Sequence, residues 1–458
     1  MKKAISLFAL CFSMNCFAQQ VEMKAENFEI PKPENVEFLT YKGKESMKLL
    51  PGSGPVEIKN LSFKDGTIEF DQEAGTPGFA ISLYFHRKDN LEQEIVYLRL
   101  KDFDDPLSNE TIQYTTYLDG VNLWDMHPHY QAPAPVNLKD WNHLKLVIAG
   151  KRMKVYCNGK EVLDIPELEG RISDGTIAFE GNSYVANLSV KPNETEGLHP
   201  EALPDLTKFQ SNYIREWSMS SPQNLPIGKE ITRDDFPDAG DFTKTISAER
   251  LGLLNITREH GMSKERRVIW LKAEVESKVA QTIDLQLGFS DEIWLFLNNQ
   301  MTYVDKNLYL QDMQKYPQGR LSIENGTVPL HLKEGKNVIT VALANDFYGW
   351  GLMARLRETD NLISIQKYTP PPVVSIENIN QYLGTYITQA FPITMTFTNV
   401  GGKLYTKASN QATDALEIAY RGNHLFELEK ENLKFQFKPE QNLLIFTQGG
   451  QDYKFVKK

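Results

Sequence analysis

At 458 residues the chain is longer than one ordinary hydrophobic core serves, so two to four domains are expected. Its composition, 41% hydrophobic, 24% charged and 11% aromatic, is that of a folded soluble protein. A net charge of −10 and an isoelectric point near 5.5 make a field that repels DNA, RNA and anionic lipid; no basic stripe overrides it, so nucleic acid is not expected as a partner.

The chain begins "MKKAISLFALCFSMNCFAQQ". Lys2 and Lys3 form a charged start, and Ala4 to Met14 an apolar stretch too short to span a bilayer. "CFA" places small residues at −3 and −1 before Gln19, so residues 1–18 read as a signal peptide cleaved after Ala18, with a secreted or periplasmic product. A lipoprotein would need small residues just before Cys11 or Cys16, where Leu10 and Asn15 stand, so lipid anchoring is not expected. No later apolar run reaches the length of a transmembrane segment. Cleavage removes Cys11 and Cys16 and leaves Cys157 alone, without an internal disulfide. Within "KVYCNGK", Cys157 reads as a buried, inert thiol on a strand.

Helical periodicity is scarce beyond Gln19. Short β-branched and aromatic runs recur between Gly, Asn and Asp, the pattern of an all-β protein. Residues 193–204, within the Pro- and Gly-bearing "KPNETEGLHPEALPDL", read as a linker, and so do residues 360–375 with "YTPPPVV", where successive prolines hold an extended backbone. They leave three modules, 21–192, 205–359 and 376–458, with no internal repeat.

In the first module "DGTIEFDQEAG", Asp65 to Gly75, alternates Glu69, Asp71 and Glu73, which a strand places on one face. Such a run is the catalytic strand of laminarinase-type glycosidases. Retaining chemistry wants carboxyl groups about 5–5.5 Å apart, whereas alternate strand residues are about 6–7 Å apart and residues four apart about 13 Å. A solvated polar strand face is therefore the reading preferred over catalysis. "KDFDDPLSNE" offers Asp102, Asp104 and Asp105 for Ca²⁺, but a solvated turn is the preferred reading and no cofactor is expected. "NLWDMHPHYQAPAP" carries His127 and His129 about a proline, beside Asp125 and Tyr130. Two imidazoles and a carboxylate could ligate a transition metal, but no third distant ligand is evident. Trp124, Tyr117 and Tyr130 could stack on sugar rings, with the histidines donating hydrogen bonds. "HLKLVIAGKRMKVYCNGKEVLDI" reads as strand, Gly-Lys turn, strand, Asn158-Gly159 turn, strand.

"FKDGTIEFD", "EIVYLRL", "IQYTTYLDGVNLW" and the Trp141-led "WNHLKLVIAGKRMKVYCNGKEVLDI" together resemble the concanavalin A-like/laminin G-like sandwich over roughly Asn60 to Pro192. In those sandwiches "DGTIEFD" is an early strand with no chemical duty, whereas the catalytic glycosidase strand lies near the middle of the domain.

The second module contains "RRVIWLKAEVES", read as an alternating antiparallel strand, then "QTIDLQLGFSDEIWLFLNNQMTYV", "GTVPLHLKEGKNVITVALAN" and "GWGLMARLRE". Gly288, Ser290, Asp291, Asn298, Gly335 and Asn337 match positions that make it similar to the galactose-binding-like jelly roll. Gly335 and Asn337 are expected to shape a tight turn, and Asp291 to accept backbone N–H bonds at its own turn. The resemblance implies glycan binding through end loops, here "NDFYGWG" with Asp346, Tyr348 and Trp350. The third module, with Tyr382, Gly384, Tyr386, "GGKL" and "LKFQF", resembles a small β-barrel-like domain often appended to serine β-lactamase-like hydrolases, and no catalytic residue carries over. The Ser364-Ile-Gln-Lys367 match to a Ser-x-x-Lys motif lacks a helix and the partner motifs, and reads as chance.

Three functions fit. The favoured one is a secreted, non-catalytic protein that holds a glycan or a cell-surface partner. The others are a glycoside hydrolase using Glu69, Asp71 and Glu73, and a structural or adhesive surface protein without a small ligand.

Overall fold

The computed structural model describes residues 19–74, 81–99, 108–371 and 374–458; the expected signal peptide and the acidic loop at Asp102, Asp104 and Asp105 lie outside them. The described residues are almost entirely β, with a single four-residue α-helix, Thr257–His260. None of their helices is long and apolar enough to cross a membrane. They form two compact units.

The first unit spans the chain to Leu206 and includes Thr257–Met262. It is a sandwich of two antiparallel sheets. One runs Lys160–Ile165, Arg152–Cys157, Asn142–Ala149, Gly66–Ala74, Ser183–Pro192, Lys44–Leu49, Val36–Tyr41; the other Val121–Asn122, Ile112–Leu118, Gln93–Leu98, Ile81–Arg87, Thr176–Gly181, Val56–Ile58, Phe28–Glu29. The inward residues of both make one core: Ile68, Phe70, Leu144 and Leu146 from the first, Leu83, Phe85, Val96 and Phe179 from the second. Phe70 meets Phe179 edge to face with ring centroids 5.1 Å apart, an orientation that suits the ring quadrupoles. The Asn158-Gly159 turn has φ of 51° and 80°, as expected of a two-residue hairpin. Asn158 also accepts a hydrogen bond from the His143 amide at 2.8 Å. Cys157 is buried, and desolvation pushes its thiol up to about 11, which keeps it protonated and unreactive. Residues 193–204, read as a linker, carry no strand but pack on the sandwich: Pro200 accepts from the Lys151 amide and the Leu203 amide donates to Pro166.

The second unit comprises Thr207–Ile256 and Ser263–Lys458. Its first part sets a long sheet, Lys244–Ser247, Glu216–Met219, Arg267–Ser277, Gly335–Asn345, Asp291–Leu297, Gln300–Asn307, against a four-stranded one, Leu253–Asn255, Gly351–Leu356, Gln281–Phe289, Gly326–Leu332. Leu362–Lys367, expected within a linker, instead pairs along Arg267–Ser277. The alternation of that central strand predicts one core face and one wet face, yet both its faces are buried. Ile269 and Leu271 enter the inter-sheet core, while Val268 and Trp270 lie under a second cluster with Leu225, Phe236 and Phe242. The polar-looking 225–242 stretch covers the outer face, a tertiary effect that local alternation does not encode. Asn337 shapes its turn as expected, donating to the Lys333 and Gly335 carbonyls at 2.8 and 3.0 Å.

The remainder is a closed eight-stranded barrel: Gly384–Ile387, Thr394–Val400, Lys403–Ala408, Leu416–Gly422, Leu425–Leu428, Leu433–Lys438, Leu443–Gln448 and Gln451–Lys457, the last pairing with the first. Closure removes the exposed edges that a sheet of this size would otherwise carry.

Candidate functional site

Glu69, Asp71 and Glu73 stand on the central strand Gly66–Ala74, with Ile68 and Phe70 turned into the core. The three carboxylates occupy the opposite face, but this is not the freely solvated row expected: Asp71 and Glu73 are buried. A lysine reaches each: Lys191 from the adjoining strand Ser183–Pro192, Lys44 from Lys44–Leu49 beyond it, and Lys42 from the turn before Lys44. Lys42 donates to both oxygens of Glu73 at 2.7 and 2.8 Å, and Tyr41 to one of them at 3.1 Å. Lys44 donates to Asp71 at 2.7 Å, joined by Asn187 at 2.6 Å and His143 at 2.8 Å. Lys191 reaches Glu69 at 3.2 Å. Burial pushes the Asp71 carboxyl upward, but the hydrogen bonds from Lys44, His143 and Asn187 outweigh it and hold the group below its ordinary range. Aromatic rings complete the face: Tyr41 stacks on Tyr184 at 3.8 Å, and the Lys44 ammonium lies 4.7 Å from the Trp141 ring centre. The lysines pair with the carboxylates, which makes the surface a structural ion-pair lattice rather than a row of groups aimed outward.

The histidine loop is placed differently from expectation. Trp124 is 8% exposed, Tyr130 and His127 are buried, and of the four only His129 reaches the surface. Gln113 holds the loop, donating to the Trp124 and His127 carbonyls at 2.7 and 3.1 Å. Tyr130 belongs to the sandwich core and donates to Glu169 at 2.8 Å. Desolvation, helped by His129 and Arg258, pushes His127 well below its ordinary pKa, so it is a neutral core imidazole. Trp124 and Tyr130 therefore have no face open for stacking. Sequence could not separate these aromatics from exposed ones, because their burial comes from partners distant in the chain. Among the described residues no three His, Cys, Asp or Glu side chains converge as a metal site would require.

The end loop of the second unit does present aromatic surface. Asp291 has φ of 48°, and its carboxylate accepts from the Asp346 and Phe347 amides at 2.6 and 3.0 Å. Residues 346–348 are thereby held out from the strand Gly335–Asn345, with Asp346 exposed, Phe347 40% exposed and Tyr348 47% exposed. Trp350, expected to partner Tyr348, is instead wholly buried in the inter-sheet core with the Arg267 guanidinium 4.6 Å from its ring centre. Its place is taken by two rings that sequence reasoning misses. Phe347 meets Tyr348 edge-on at 4.5 Å, and Tyr309, from the loop after Gln300–Asn307, lies nearly parallel to Phe347 at 6.1 Å. Phe347 is visible in "NDFYGWG", whereas Tyr309 is nearly forty positions away and no local signal links it to the loop.

No family model and no curated protein matches the sequence. Among solved structures, the chain is similar to the carbohydrate-binding module CBM66 from Bacillus subtilis over 35% of this chain and 93% of that one, at 15% identity and a TM-score of 0.28. It is similar to the Bacillus licheniformis β-glucanase over 39% and 98%, at 11% identity and a TM-score of 0.28. A Caenorhabditis elegans galectin gives 35% and 97%, 14% identity and a TM-score of 0.23. At these values no residue role passes from them to this chain.

Proposed function

We propose that this is a secreted or periplasmic, non-catalytic protein that binds carbohydrate through the end loop of its second unit. The observation that carries the reading is the aromatic group Tyr309, Phe347 and Tyr348, held on a loop that Asp291 clamps. Flat apolar rings suit the C–H faces of sugars, and the exposed Asp346 carboxylate can accept hydrogen bonds from sugar hydroxyls. The clamp fixes the loop before ligand arrives, which lowers the ordering cost of binding. Catalysis is not part of the proposal, because Glu69, Asp71 and Glu73 are each engaged by a lysine. The leader-like residues 1–18 support the secreted or periplasmic part of the reading.

A glycan array probed with the chain from Gln19 to Lys458, followed by product analysis of every glycan retained, tests this. Retention without cleavage is expected. Cleaved products that vanish in Glu69→Gln would replace the reading with a glycosidase, and an array with no retained glycan would leave the structural or adhesive role in its place.

A further inference from the structure

The C-terminal barrel holds a feature that glycan binding does not use. Along its axis the interior divides in two. At one end Tyr382, Tyr386, Phe397, Phe426 and Phe437 interlock, with the Phe437 ring centre 5.0 Å from Tyr382, 5.6 Å from Tyr386, 5.0 Å from Phe397 and 5.5 Å from Phe426. This plug closes the barrel. Beyond it Phe435 and Phe446 pack with ring centres 5.2 Å apart, and they form part of the wall of a cavity of about 380 Å³. Its walls include Met395, Leu428, Leu433, Phe435, Phe446 and Tyr453, and none of its lining side chains carries a charge. Asn410, Leu416 and Gln448, all exposed, stand at the mouth.

An eight-stranded barrel is about wide enough either to be filled by its own side chains or to hold one small ligand, and this one does the first at one end and leaves room for the second at the other. A void lined by aliphatic and aromatic groups forfeits packing that a ligand would restore, and a volume near the lower bound of small-molecule pockets suits one chain rather than a bulky lipid. The polar groups are graded to match: the hydroxyl-bearing Thr406 lies on the wall, only 6% exposed, and the amides of Asn410, Gln411 and Gln448 lie toward the opening. We propose that the barrel binds a single-chain amphiphile, its alkyl or acyl tail in the cavity against Phe435 and Phe446 and its polar head at the amide-lined mouth. With no cation in the lining, the tail and not a headgroup charge governs affinity.

The test uses the full chain and N-phenyl-1-naphthylamine, an uncharged dye whose emission rises in apolar surroundings. Saturable binding of one dye per chain is expected, with displacement by decanol or decanoate. Ala408→Trp and Leu416→Trp, which place a large ring on the wall and at the mouth, are expected to weaken the dye at least tenfold while the thermal transition persists. Leu416 is exposed, so its variant remains informative if Ala408→Trp does not fold. Tyr348→Ala, in the glycan loop, is expected to leave dye binding unchanged, so the two proposals fail separately. No saturable binding, displacement by neither amphiphile, or unchanged affinity in a folded Trp variant would overturn the assignment.

Discussion

At the scale of single residues, the least conspicuous part of the sequence holds a demanding interior. His86, at φ 45°, is buried with one ring nitrogen 3.0 Å from Glu94 and the other 2.7 Å from the Lys64 carbonyl. A carbonyl only accepts, so Nε2 carries a proton. The Tyr114 hydroxyl, which accepts from the Glu169 amide at 2.7 Å, donates its own proton to the other Glu94 oxygen. One Glu94 oxygen thus accepts from Tyr114, and the other faces His86 Nδ1. Desolvation pulls His86 down, yet Glu94 and the Lys64 carbonyl together raise it above 6.5. A raised folded value means the stabilisation is complete below about pH 6.5 and is lost as pH rises through the folded pKa. The urea midpoint of the first unit is expected to fall between pH 6 and pH 9. Glu94→Gln, which strands a buried cation, is expected to cost about 3 kcal/mol at pH 6 and to flatten that dependence; an unchanged pH profile would refute the pair. Asp71 has the opposite sign. Its lowered pKa gives stability present above about 3.8 and lost as pH falls through the folded value, so Asp71→Asn is expected to weaken the fold at pH 7 and to blunt acid unfolding, read by circular dichroism from pH 6 to pH 2.

At the scale of elements, the strands were legible where sequence and tertiary context agree. "KVYCNGK" gave its hairpin because Asn-Gly alone satisfies the turn. "DGTIEFDQEAG" gave a strand with its carboxylates on one face, since alternation is a property of the backbone. What the sequence did not disclose was the lysine beside each carboxylate, because Lys191 and the hairpin that carries Lys42 and Lys44 reach this face only through the long-range pairing of Ser183–Pro192. The aromatic assignments failed for the same reason. Tyr348 and Trp350 alternate along one short loop, and the register of Gly351–Leu356 against Leu253–Asn255 sends the second inward. The carboxylate-bearing strand also offers a sharp test of packing. A Cβ on Gly66, φ 139°, would lie 2.2 Å from the Lys191 carbonyl oxygen, where the two central strands pair. Gly66→Ala is expected to destabilise the first unit by roughly 3 kcal/mol or more, measured by urea denaturation, whereas Gly159→Ala, with nothing within 4 Å, is expected to cost only its turn strain.

At the scale of the whole molecule, the all-β class followed from composition and periodicity, while the division of labour did not. Ion pairs occupy the carboxylate face of the first unit, and the exposed rings belong to the second. Burial and pairing explain the former, and the latter, with Phe347 40% and Tyr348 47% exposed, is the surface proposed for a glycan. The barrel adds a cavity whose lining shares no side chain with either surface.

The aromatic loop is tested by a calorimetric titration of an array-retained glycan into the wild-type chain and Tyr348→Ala. A stacking contribution of about 1 kcal/mol beyond area, together with the contact area lost, predicts binding roughly tenfold or more weaker in the variant and an unaltered thermal transition. Equal affinity in the two proteins would rule out the loop as the binding surface and place the glycan elsewhere on the molecule.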